Sequence, residues 1–352
     1  MDLSVVILNW NTCALLEKCL RSLVCQEGSI AFEVVVVDNA SEDGSRKMVK
    51  ELFPEVRLIT NPTNIGFGAG NNVAIPESTG RYVFFLNSDT VVLEGALAAM
   101  VHHADTNPDI GILGPKLLNE DSSLQYSCRR YPNLGTGFFR NTPLGRLFPN
   151  NRFATDYLYK DWDHATPRDV DWVSGAALMI RRTLLDKIGG FDEDFFMYCE
   201  DVDLCWRANH APLPSEIAGT SDPDITGITC YAPTEPAQTS PLPCERSERS
   251  REGGLGGLGS TWRVTYYPEA VIYHLIGKSS DKVPTRMTYE FHRSQYLFYA
   301  KHYRATTPFL LRPIIPVGIG LRAVGQMIRF RVRYWQRRLR GTEKIKNKGV
   351  KR

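Results

Sequence analysis

The first part of the chain alternates short apolar runs with helical patterns, and this alternation constrains the fold more than any other feature. Four runs are rich in β-branched and aromatic residues, as in parallel strands buried on both faces. They are Leu3–Leu8, Phe32–Val37, Val56–Thr60 and Tyr82–Leu86. After the first run, apolar side chains recur at helical spacing behind Thr12, a residue type that caps helix N-termini. Regular alternation of strand and helix predicts a doubly wound α/β sheet that binds ligands where its strands end.

Polar residues follow three of these strands, at the edge where such a sheet would bind a ligand. They are Asn9, Asp38-Asn39 and Asn87-Ser88-Asp89. Each loop alone is typical of an ordinary βα turn, because Asn, Asp and Gly adopt turn conformations readily. Three such loops in succession weaken that interpretation and favour a polar ligand site.

The loop after the third strand is glycine-rich. It runs from Asn64 to Asn72 as Asn-Ile-Gly-Phe-Gly-Ala-Gly-Asn-Asn and leads into a helix, where backbone amides could approach an anion closely. Its glycines at 66, 68 and 70 do not fit the GxGxxG pattern, and the loop does not follow the first strand. A dinucleotide site is therefore disfavoured. A tight loop with positive φ at its glycines is the structural alternative.

Carboxylates are concentrated in two places. Asp89 follows a strand at the position where a nucleotide's phosphates would lie, and Mg²⁺ or Mn²⁺ would need one or two carboxylates there besides phosphate oxygens and water. Glu200, Asp201 and Asp203 lie within four positions. Like charges this close raise the proton affinity of at least one group, which could then act as general base towards a hydroxyl. Helix capping is the structural alternative at both places.

Together these segments resemble family 2 glycosyltransferases, especially the bacterial rhamnosyltransferase-like branch that builds cell-surface polysaccharides. The resemblance spans residues 3–208 and resumes from 262 to about 304. Five motifs carry it, in the family's order and spacing. They are Val-Val-Ile-Leu-Asn-Trp-Asn from Val5, Val-Val-Asp-Asn-Ala-Ser-Glu-Asp-Gly-Ser from Val36, the glycine-rich loop from Asn64, Phe-Leu-Asn-Ser-Asp-Thr from Phe85, and Gly-Gly-Phe-Asp-Glu-Asp-Phe-Phe-Met-Tyr-Cys-Glu-Asp-Val-Asp-Leu-Cys-Trp-Arg from Gly189.

The resemblance implies a GT-A fold, a Rossmann-like, mostly parallel twisted sheet with helices on both faces. It also implies direct displacement that inverts the anomeric carbon, from a nucleotide-diphosphate sugar (dTDP-rhamnose is the first choice) to a hydroxyl of a glycan or lipid-linked glycan. A divalent metal, Mg²⁺ or Mn²⁺, would be the cofactor.

The resemblance also implies roles for individual residues. Asp201 of the catalytic pair Glu200-Asp201 would be the base, Asp38 would contact the nucleoside, and Asp89 would bind the metal as the last residue of a DxD-type motif whose first position is Asn87. His274 matches a histidine that can complete the metal site. The full donor set is Asn9, Asp38, Asn39, Asn64, Gly66, Asn71, Asn87, Ser88 and Asp89. The sugar and acceptor pocket would be lined by Trp172, Ser174, Gly175, Asp203 and Arg207.

The chain departs from this family between residues 209 and 260, a stretch rich in Pro, Ser, Thr and Gly. Composition of this kind predicts a disordered insertion. Two short strands, Trp262–Pro268 and Ala270–His274, and a helix from about Thr285 to Tyr303 would complete a glycosyltransferase domain of residues 1–304. A C-terminal extension of residues 305–352, helical in part, would follow.

The extension is first apolar and then basic. Residues 308–328 are apolar but interrupted by Arg312, Arg322 and three prolines, which is too broken for a membrane span. Residues 329–352 hold 11 Lys or Arg and one acid, whereas the rest of the chain holds 31 basic and 38 acidic residues. This pattern predicts a peripheral anchor on an anionic, cytoplasmic membrane face. A helix packed on the domain with a solvated basic end is the alternative.

Cysteine usage and the N-terminus bear on the compartment. The eight cysteines form no CxxC pair and no zinc spacing, so they are interpreted as reduced thiols. Met1 runs directly into the first strand, without the basic leader and apolar stretch of a signal peptide. We therefore expect the folded part to lie in the cytoplasm, peripherally on the inner face of the cell membrane.

Other classes of function remain open. The chain could be a nucleotide-sugar-binding protein that lost activity because the 209–260 stretch distorts its surroundings. A nucleic-acid-binding role for the basic tail would give salt-sensitive binding, but no helix-turn-helix or RNA-recognition signature supports it, so nucleic acid is not an expected partner. A nucleotidyltransferase would have no obvious use for the Glu200-Asp201 pair.

Overall fold

The fold is taken from a computed structural model, which describes residues 1–26, 30–133, 151–218, 261–275 and 284–329, together with Thr136, Leu147 and Arg331. The strands are β1 (Leu3–Asn9), β2 (Phe32–Asp38), β3 (Arg57–Thr60), β4 (Tyr82–Asn87), β5 (Thr90–Val92), β6 (Ile110–Leu118), β7 (Leu124–Gln125), β8 (Cys128–Arg129), β9 (Arg168–Asp169), β10 (Trp172–Val173), β11 (Ala177–Arg181) and β12 (Arg263–His274).

The helices alternate with these strands in the first part of the chain and follow them in the second. They are α1 (Cys13–Val24), α2 (Ser45–Leu52), α3 (Phe67–Asn72), α4 (Ala96–Thr106), α5 (Arg152–Tyr157), α6 (Arg182–Ile188), α7 (Glu200–His210), α8 (Ser215–Ala218), α9 (Pro284–Phe298) and α10 (residues 314–329). A π-helical turn, Tyr299–Tyr303, continues α9, and a 3₁₀ turn, Phe309–Leu311, precedes α10.

Most of the strands form one mixed sheet, in the order β3-β2-β1-β4-β11-β6-β12-β5. The first four are parallel, so their carboxyl ends share one edge. β11 pairs antiparallel with β4 and β6, β6 pairs parallel with β12, and β5 pairs antiparallel with β12. The predicted α/β architecture with a mostly parallel sheet is confirmed.

Side chains of the central strands alternate between two buried cores, one on each face of the sheet. In β1, Val5 and Ile7 pack into the core that α1 and α4 cover, whereas Val6 packs into the core that α6 and α7 cover. In β4, Phe84 and Phe85 divide between the cores in the same way. Each buried aromatic or aliphatic side chain contributes roughly 1.5–3 kcal/mol to folding. Apolar runs of this kind therefore form strands with helices on both faces.

Two local predictions differ from the structure. Trp262–Pro268 and Ala270–His274 were expected as separate strands, but β12 is continuous because a register shift between Tyr267 and Val271 accommodates Pro268. Thr12 precedes α1 as expected, yet its hydroxyl donates to Asn9 Oδ1 (2.6 Å) instead of capping the helix. The carboxylate of Asp43 accepts the first helical N–H, from Cys13 (2.8 Å).

The predicted disordered insertion of residues 209–260 lies mainly outside the described residues, in 219–260. Residues 209–218 are among the described residues. Asn209 lies in α7 and donates to the hydroxyl of Tyr131 (2.8 Å) and the carbonyl of Asp171 (2.9 Å). Pro212 and Thr261 then form a β-bridge between the described segments that precede and follow residues 219–260. The helix that carries Glu200 and Asp201 is intact.

The C-terminal helix α10 exposes apolar side chains along one stripe. Ile314, Val317, Leu321, Val324 and Ile328 are each more than half exposed. In the same helix, the guanidinium of Arg322 lies 5.9 Å from the centre of the Phe291 ring in α9. Within the described part of the chain, no helix combines the length and the apolar content that a bilayer crossing requires.

Gly114 of β6 offers a test of how tightly the sheet packs. A Cβ at this position would lie 2.6 Å from Cβ of Val173, so Gly114→Ala should lower the free energy of unfolding by about 1–3 kcal/mol. The control is Gly318→Ala in α10, where a Cβ would meet nothing within 4 Å. Chemical denaturation of both variants measures the difference. Equal stability of the two would contradict the packing described here.

Candidate active site

Parallel pairing brings the polar ends of β1, β2 and β4 to one edge of the sheet. Asn9 lies opposite Asp38, and Leu8 lies opposite Asn87. The amide of Asn9 donates to Asp38 Oδ1 (3.3 Å), and Asp38 Oδ2 accepts the N–H of Ser41 (3.0 Å) and pairs with Arg46 (3.2 Å). Asp38 is buried by these partners. These contacts hold the ends of β1 and β2 together.

Asn39 fastens the glycine-rich loop to this edge. Its amide nitrogen donates to Asn64 Oδ1 and to the carbonyl of Gly66, both at 3.0 Å, and its amide oxygen accepts from Asn61 and Ile65 at 3.1 Å. Gly66 has φ +98°, and a Cβ there would lie 2.5 Å from the carbonyl oxygen of Phe196. Only glycine allows this approach. The glycine-rich loop therefore packs against the segment that precedes Glu200.

A cavity of about 320 Å³ opens at this edge. Its volume is within the range of small-molecule sites. The described residues that line it are Leu8, Trp10, Asn39, Asn64, Gly66, Phe67, Asn87, Ser88, Asp89, Ser174, Gly175, Ala176, Phe196, Met197, Tyr198, Glu200, Asp201, His274, Arg286 and Met287. Asp89 and Asp201, more than 100 positions apart in the sequence, thus face one space.

The pairing of β5 with β12 brings His274 beside Asp89. Thr90 lies opposite His274 in this ladder, and the imidazole Nε2 is 3.3 Å from Asp89 Oδ1. On the other side, His274 Nδ1 is 2.7 Å from Gln125 Oε1, whose amide nitrogen donates to Asn119. An amide oxygen only accepts, so Nδ1 donates to Gln125, and Nε2 faces both Asp89 and the amide nitrogen of Asn87, 3.3 Å away. Protein partners of this kind fix metal-binding histidines.

A divalent cation fits this donor set in part. A carboxylate oxygen and an imidazole nitrogen both suit Mn²⁺, and the carboxylate suits Mg²⁺. Among the described residues, no group of three His, Cys, Asp or Glu side chains could hold a metal by itself. Asp89 and His274 would therefore bind a cation together with phosphate oxygens of a ligand and water.

Glu200 and Asp201 enter the cavity from a strained turn. Tyr198 and Cys199, directly before them, have φ of 71° and 68°. Left-handed backbone at non-glycine residues costs roughly 1–3 kcal/mol each and persists only where its surroundings enforce it. Asp201 accepts the N–H of Gly175 (3.0 Å) and of Val202 (2.9 Å). This contact joins the start of α7 to the loop before β11.

The two carboxyl groups have different electrostatic surroundings. Burial raises the pKa of Glu200 well above its ordinary value, and the charge of Asp201 raises it further. Burial also raises the pKa of Asp201, but the N–H groups of Gly175 and Val202 oppose that shift. Glu200 Oε2 has no hydrogen-bond partner among the described residues. The rise in the pKa of Glu200 is therefore less opposed by hydrogen bonds than the rise in the pKa of Asp201.

Six residues that the sequence analysis assigned to the site lie outside the lining of this cavity: Asn9, Asp38, Asn71, Trp172, Asp203 and Arg207. Each has partners inside the protein. Asn71 donates to the carbonyl of Phe67 (3.0 Å), and Trp172 donates to that of Arg130 (2.9 Å). Their roles towards a substrate stay predictions.

Asp203 and Arg207 form an ion pair at 2.7 Å, and His302 donates to the other oxygen of Asp203 at 2.7 Å. Burial alone would raise the pKa of Asp203, but the hydrogen bond from His302 and the charge of Arg207 lower it. Asp203 is thus ionised and committed to neighbours in the protein. Asp203 differs in this respect from Glu200 and Asp201, which line the cavity.

Nine residues that line the cavity had no role assigned from the sequence. They are Leu8, Trp10, Phe67, Ala176, Phe196, Met197, Tyr198, Arg286 and Met287. Trp10 and Tyr198 lie within quoted motifs, so their positions beside Asn9 and Glu200 could have indicated them. Arg286 gave no local signal. Its guanidinium lies 4.4 Å from the centre of the Phe196 ring, and it is the one Arg or Lys among the described lining residues.

Comparison with known proteins adds independent information. The sequence profile described as "Glycosyl transferase family 2" matches residues 4–189. The N-acetylglucosaminyl-diphospho-decaprenol L-rhamnosyltransferase of Mycobacterium tuberculosis (strain CDC 1551 / Oshkosh) is 33% identical over 224 residues, covering 59% of this chain and 71% of the relative. Rhamnosyltransferase WbbL of Escherichia coli (strain K12) is 29% identical over 154 residues, 42% of this chain and 55% of the relative.

Among solved structures, similarity extends to the mannosyltransferase PcManGT from Pyrobaculum calidifontis in complex with GDP-Man and Mn²⁺. The TM-score is 0.48 at 18% identity, covering 92% of this chain and 73% of that chain. The sequence profile matches the part of the chain that holds Asn39, Asp89 and Ser174 and ends before Glu200.

The raised pKa of Glu200 generates a pH prediction. The folded state holds this proton at a pH where the unfolded chain has lost it, so wild-type stability falls as pH rises above the unfolded pKa. Glu200→Gln removes this loss and should unfold at a higher temperature than wild type at pH 8, with the gap closing towards pH 4. Thermal unfolding in EDTA across that range measures it. Glu51→Gln, which changes an exposed side chain, is the control. If the difference in unfolding temperature between Glu200→Gln and wild type grew as pH falls, the raised pKa of Glu200 would be contradicted.

Proposed function

Because the chain belongs to glycosyl transferase family 2 and has the GT-A fold, we propose that it is an inverting glycosyltransferase. It moves a sugar from a nucleotide-diphosphate donor to a hydroxyl of a glycan or lipid-linked glycan. Rhamnose is the proposed sugar, supported by two relatives whose names are rhamnosyltransferases. The name of the mycobacterial relative, which contains N-acetylglucosaminyl-diphospho-decaprenol, supports a lipid-linked acceptor.

The observation that carries this proposal is the meeting of Asp89 and Asp201 in one cavity. Direct displacement needs a site for the leaving diphosphate on one side of the sugar and a base for the acceptor hydroxyl on the other. Asp89 and His274 supply the first and Asp201 supplies the second. Trp10 and Asn39 line the part of the cavity at the strand ends, where the nucleoside is proposed to bind.

In the proposed reaction, Asp201 takes the proton of the acceptor hydroxyl as that oxygen forms a bond to the anomeric carbon. The bond from this carbon to the diphosphate breaks on the opposite face, and the nucleoside diphosphate leaves with the electron pair. The two N–H groups on Asp201 hold its carboxylate in place. Glu200, protonated beside it, adds no second negative charge to the pocket.

Asp89 and His274 are the residues proposed to hold a divalent cation. When bound, the cation would neutralise the charge that develops on the departing diphosphate. Arg286 adds positive charge to a cavity that otherwise contains the carboxyl groups of Asp89, Glu200 and Asp201. It is therefore proposed to contact the same diphosphate. Gln125 keeps the imidazole oriented for this purpose.

The competing proposal is a nucleotide-sugar-binding protein without transferase activity. Its premise was a distorted region after Asp201, and α7 is intact through His210. An active enzyme is therefore favoured. The two differ in turnover and not in donor binding, so binding alone does not separate them.

Asp201→Asn should lower kcat by about 10²-fold to 10⁴-fold, the contribution of a general base. Release of nucleoside diphosphate and formation of glycosylated product are measured with dTDP-rhamnose and a panel of other nucleotide sugars, plus a polyprenyl-diphosphate-linked N-acetylglucosamine acceptor. The control is Asp186→Asn, an exposed aspartate outside the cavity. Wild-type protein that binds a donor without turnover would favour the binding protein, and full activity of Asp201→Asn would exclude this base.

A second part of the proposal concerns location. The stripe of Ile314, Val317, Leu321, Val324 and Ile328 on α10 is proposed to lie on an anionic membrane surface. Residues 291–342 contain no Asp or Glu, so two copies of this helix would bring like charges together. A surface of anionic lipids complements both the apolar stripe and the basic residues around it. This would place the cavity near a lipid-linked acceptor.

Leu321→Gln should weaken binding to vesicles that contain phosphatidylglycerol by about 10-fold, because one leucine no longer enters the apolar layer. Co-sedimentation with vesicles measures the change, and phosphatidylcholine vesicles should bind wild type less. The control is Leu147→Gln, another exposed leucine. If Leu321→Gln bound vesicles as well as wild type but had a lower molecular mass by light scattering, the partner of the stripe would instead be a second copy of the chain.

A further inference from the structure

Helix α9 and its π-helical extension hold the segment that delivers the proposed base. This segment, the 191–199 loop, connects α6 to α7 and contributes Phe196, Met197 and Tyr198 to the cavity. It has no regular secondary structure of its own. Its geometry must therefore be fixed by contacts with other elements.

Three side chains from one face of α9 and the extension contact the loop along its length. Arg293 donates to the carbonyl of Asp194 (2.8 Å), and Ser294 donates to that of Met197 (2.8 Å). Lys301 forms ion pairs with the carboxylates of Asp192 and Asp194, the latter at 2.9 Å. These contacts join residues about 100 positions apart in the sequence.

A fourth side chain, that of His302, contacts α7, the helix that begins with Glu200 and Asp201. His302 Nε2 donates to Asp203 Oδ1 at 2.7 Å, and the N–H of Asp203 donates to the carbonyl of Cys199 at 2.9 Å. Ser294 is fully buried, and Asp203 is 1% exposed. Both bonds are therefore shielded from water, which strengthens them.

These contacts lie on both sides of the strained turn. The carbonyl that Ser294 binds directly precedes Tyr198, and the carbonyl that Asp203 binds belongs to Cys199. Two consecutive left-handed residues would relax to ordinary backbone if neither end were held. Asp201 follows this turn directly and accepts the N–H of Gly175, so a change in the turn's backbone would displace its carboxylate.

We propose that Ser294, Lys301 and His302 are positioning residues, which hold the 191–199 loop and the start of α7 so that Asp201 faces the acceptor. The proposal rests on the proposed function, because it takes Asp201 as the base. It assigns to α9 a role in the rate of transfer that is separate from donor binding. Donor binding uses Asn39 and Asp89, which these three residues do not contact.

The test compares Ser294→Ala, Lys301→Met and His302→Ala with wild type. Each should lower kcat at saturating substrate by about 10-fold or more, since a small displacement of a catalytic group is costly. The dissociation constant for dTDP, from calorimetry, should stay within about twofold. His302→Gln keeps a nitrogen donor and should restore most of kcat. Tyr296→Ala, an exposed side chain of the same helix, is the control.

Hydrogen exchange of the 191–203 peptide provides a second readout. Lys301 is exposed, so Lys301→Met should fold normally and exchange faster in this peptide alone. Wild-type kcat in all three variants, or equal losses of kcat and dTDP affinity, would overturn the positioning role. Failure of the proposed function is recognised separately: wild type would then bind a donor without turnover, or Asp201→Asn would be as active as wild type, whatever the α9 variants do.

Discussion

The parallel pairing of β1 with β2 and β4 is the constraint on which the rest of the structure depends. It places Asn9, Asp38 and Asn87 at one edge, because parallel strands end together. Backbone hydrogen bonds fix this register, and a slip by one residue would exchange the two buried faces. The cavity exists where the edge is covered by later parts of the chain. The polar network of Asn39 then attaches the glycine-rich loop to it.

The second half of the chain completes the site by long-range contacts. β12 returns beside β6 and carries His274 to Asp89 through its pairing with β5. α9 then crosses the 191–199 loop and holds it by hydrogen bonds and ion pairs. The side of the cavity near Asp89 and the side near Asp201 are thus held by different parts of the sequence.

The cavity includes a buried unpaired carboxyl oxygen and a strained turn. Glu200 is buried without a partner for Oε2, and Tyr198 and Cys199 are in left-handed conformations. Asp203, a buried carboxylate outside the cavity, instead has cationic partners. Local strain and unpaired polar groups collect at functional sites because the surrounding structure offsets their cost. Here the offset comes from α9, Gly175 and the close packing of Gly66 on Phe196.

The sequence by itself determined the central strands, the order of the motifs and the residues Asp89 and Asp201. Apolar runs, turn residues and clustered acids are local patterns, so a single pass along the chain detects them. Only the tertiary structure decided that Asp203 faces His302 instead of the cavity and that Arg286 enters it. Those outcomes depend on how distant segments pack together. The direction in which a side chain points, when distant segments decide it, produces no periodic pattern in the neighbouring sequence.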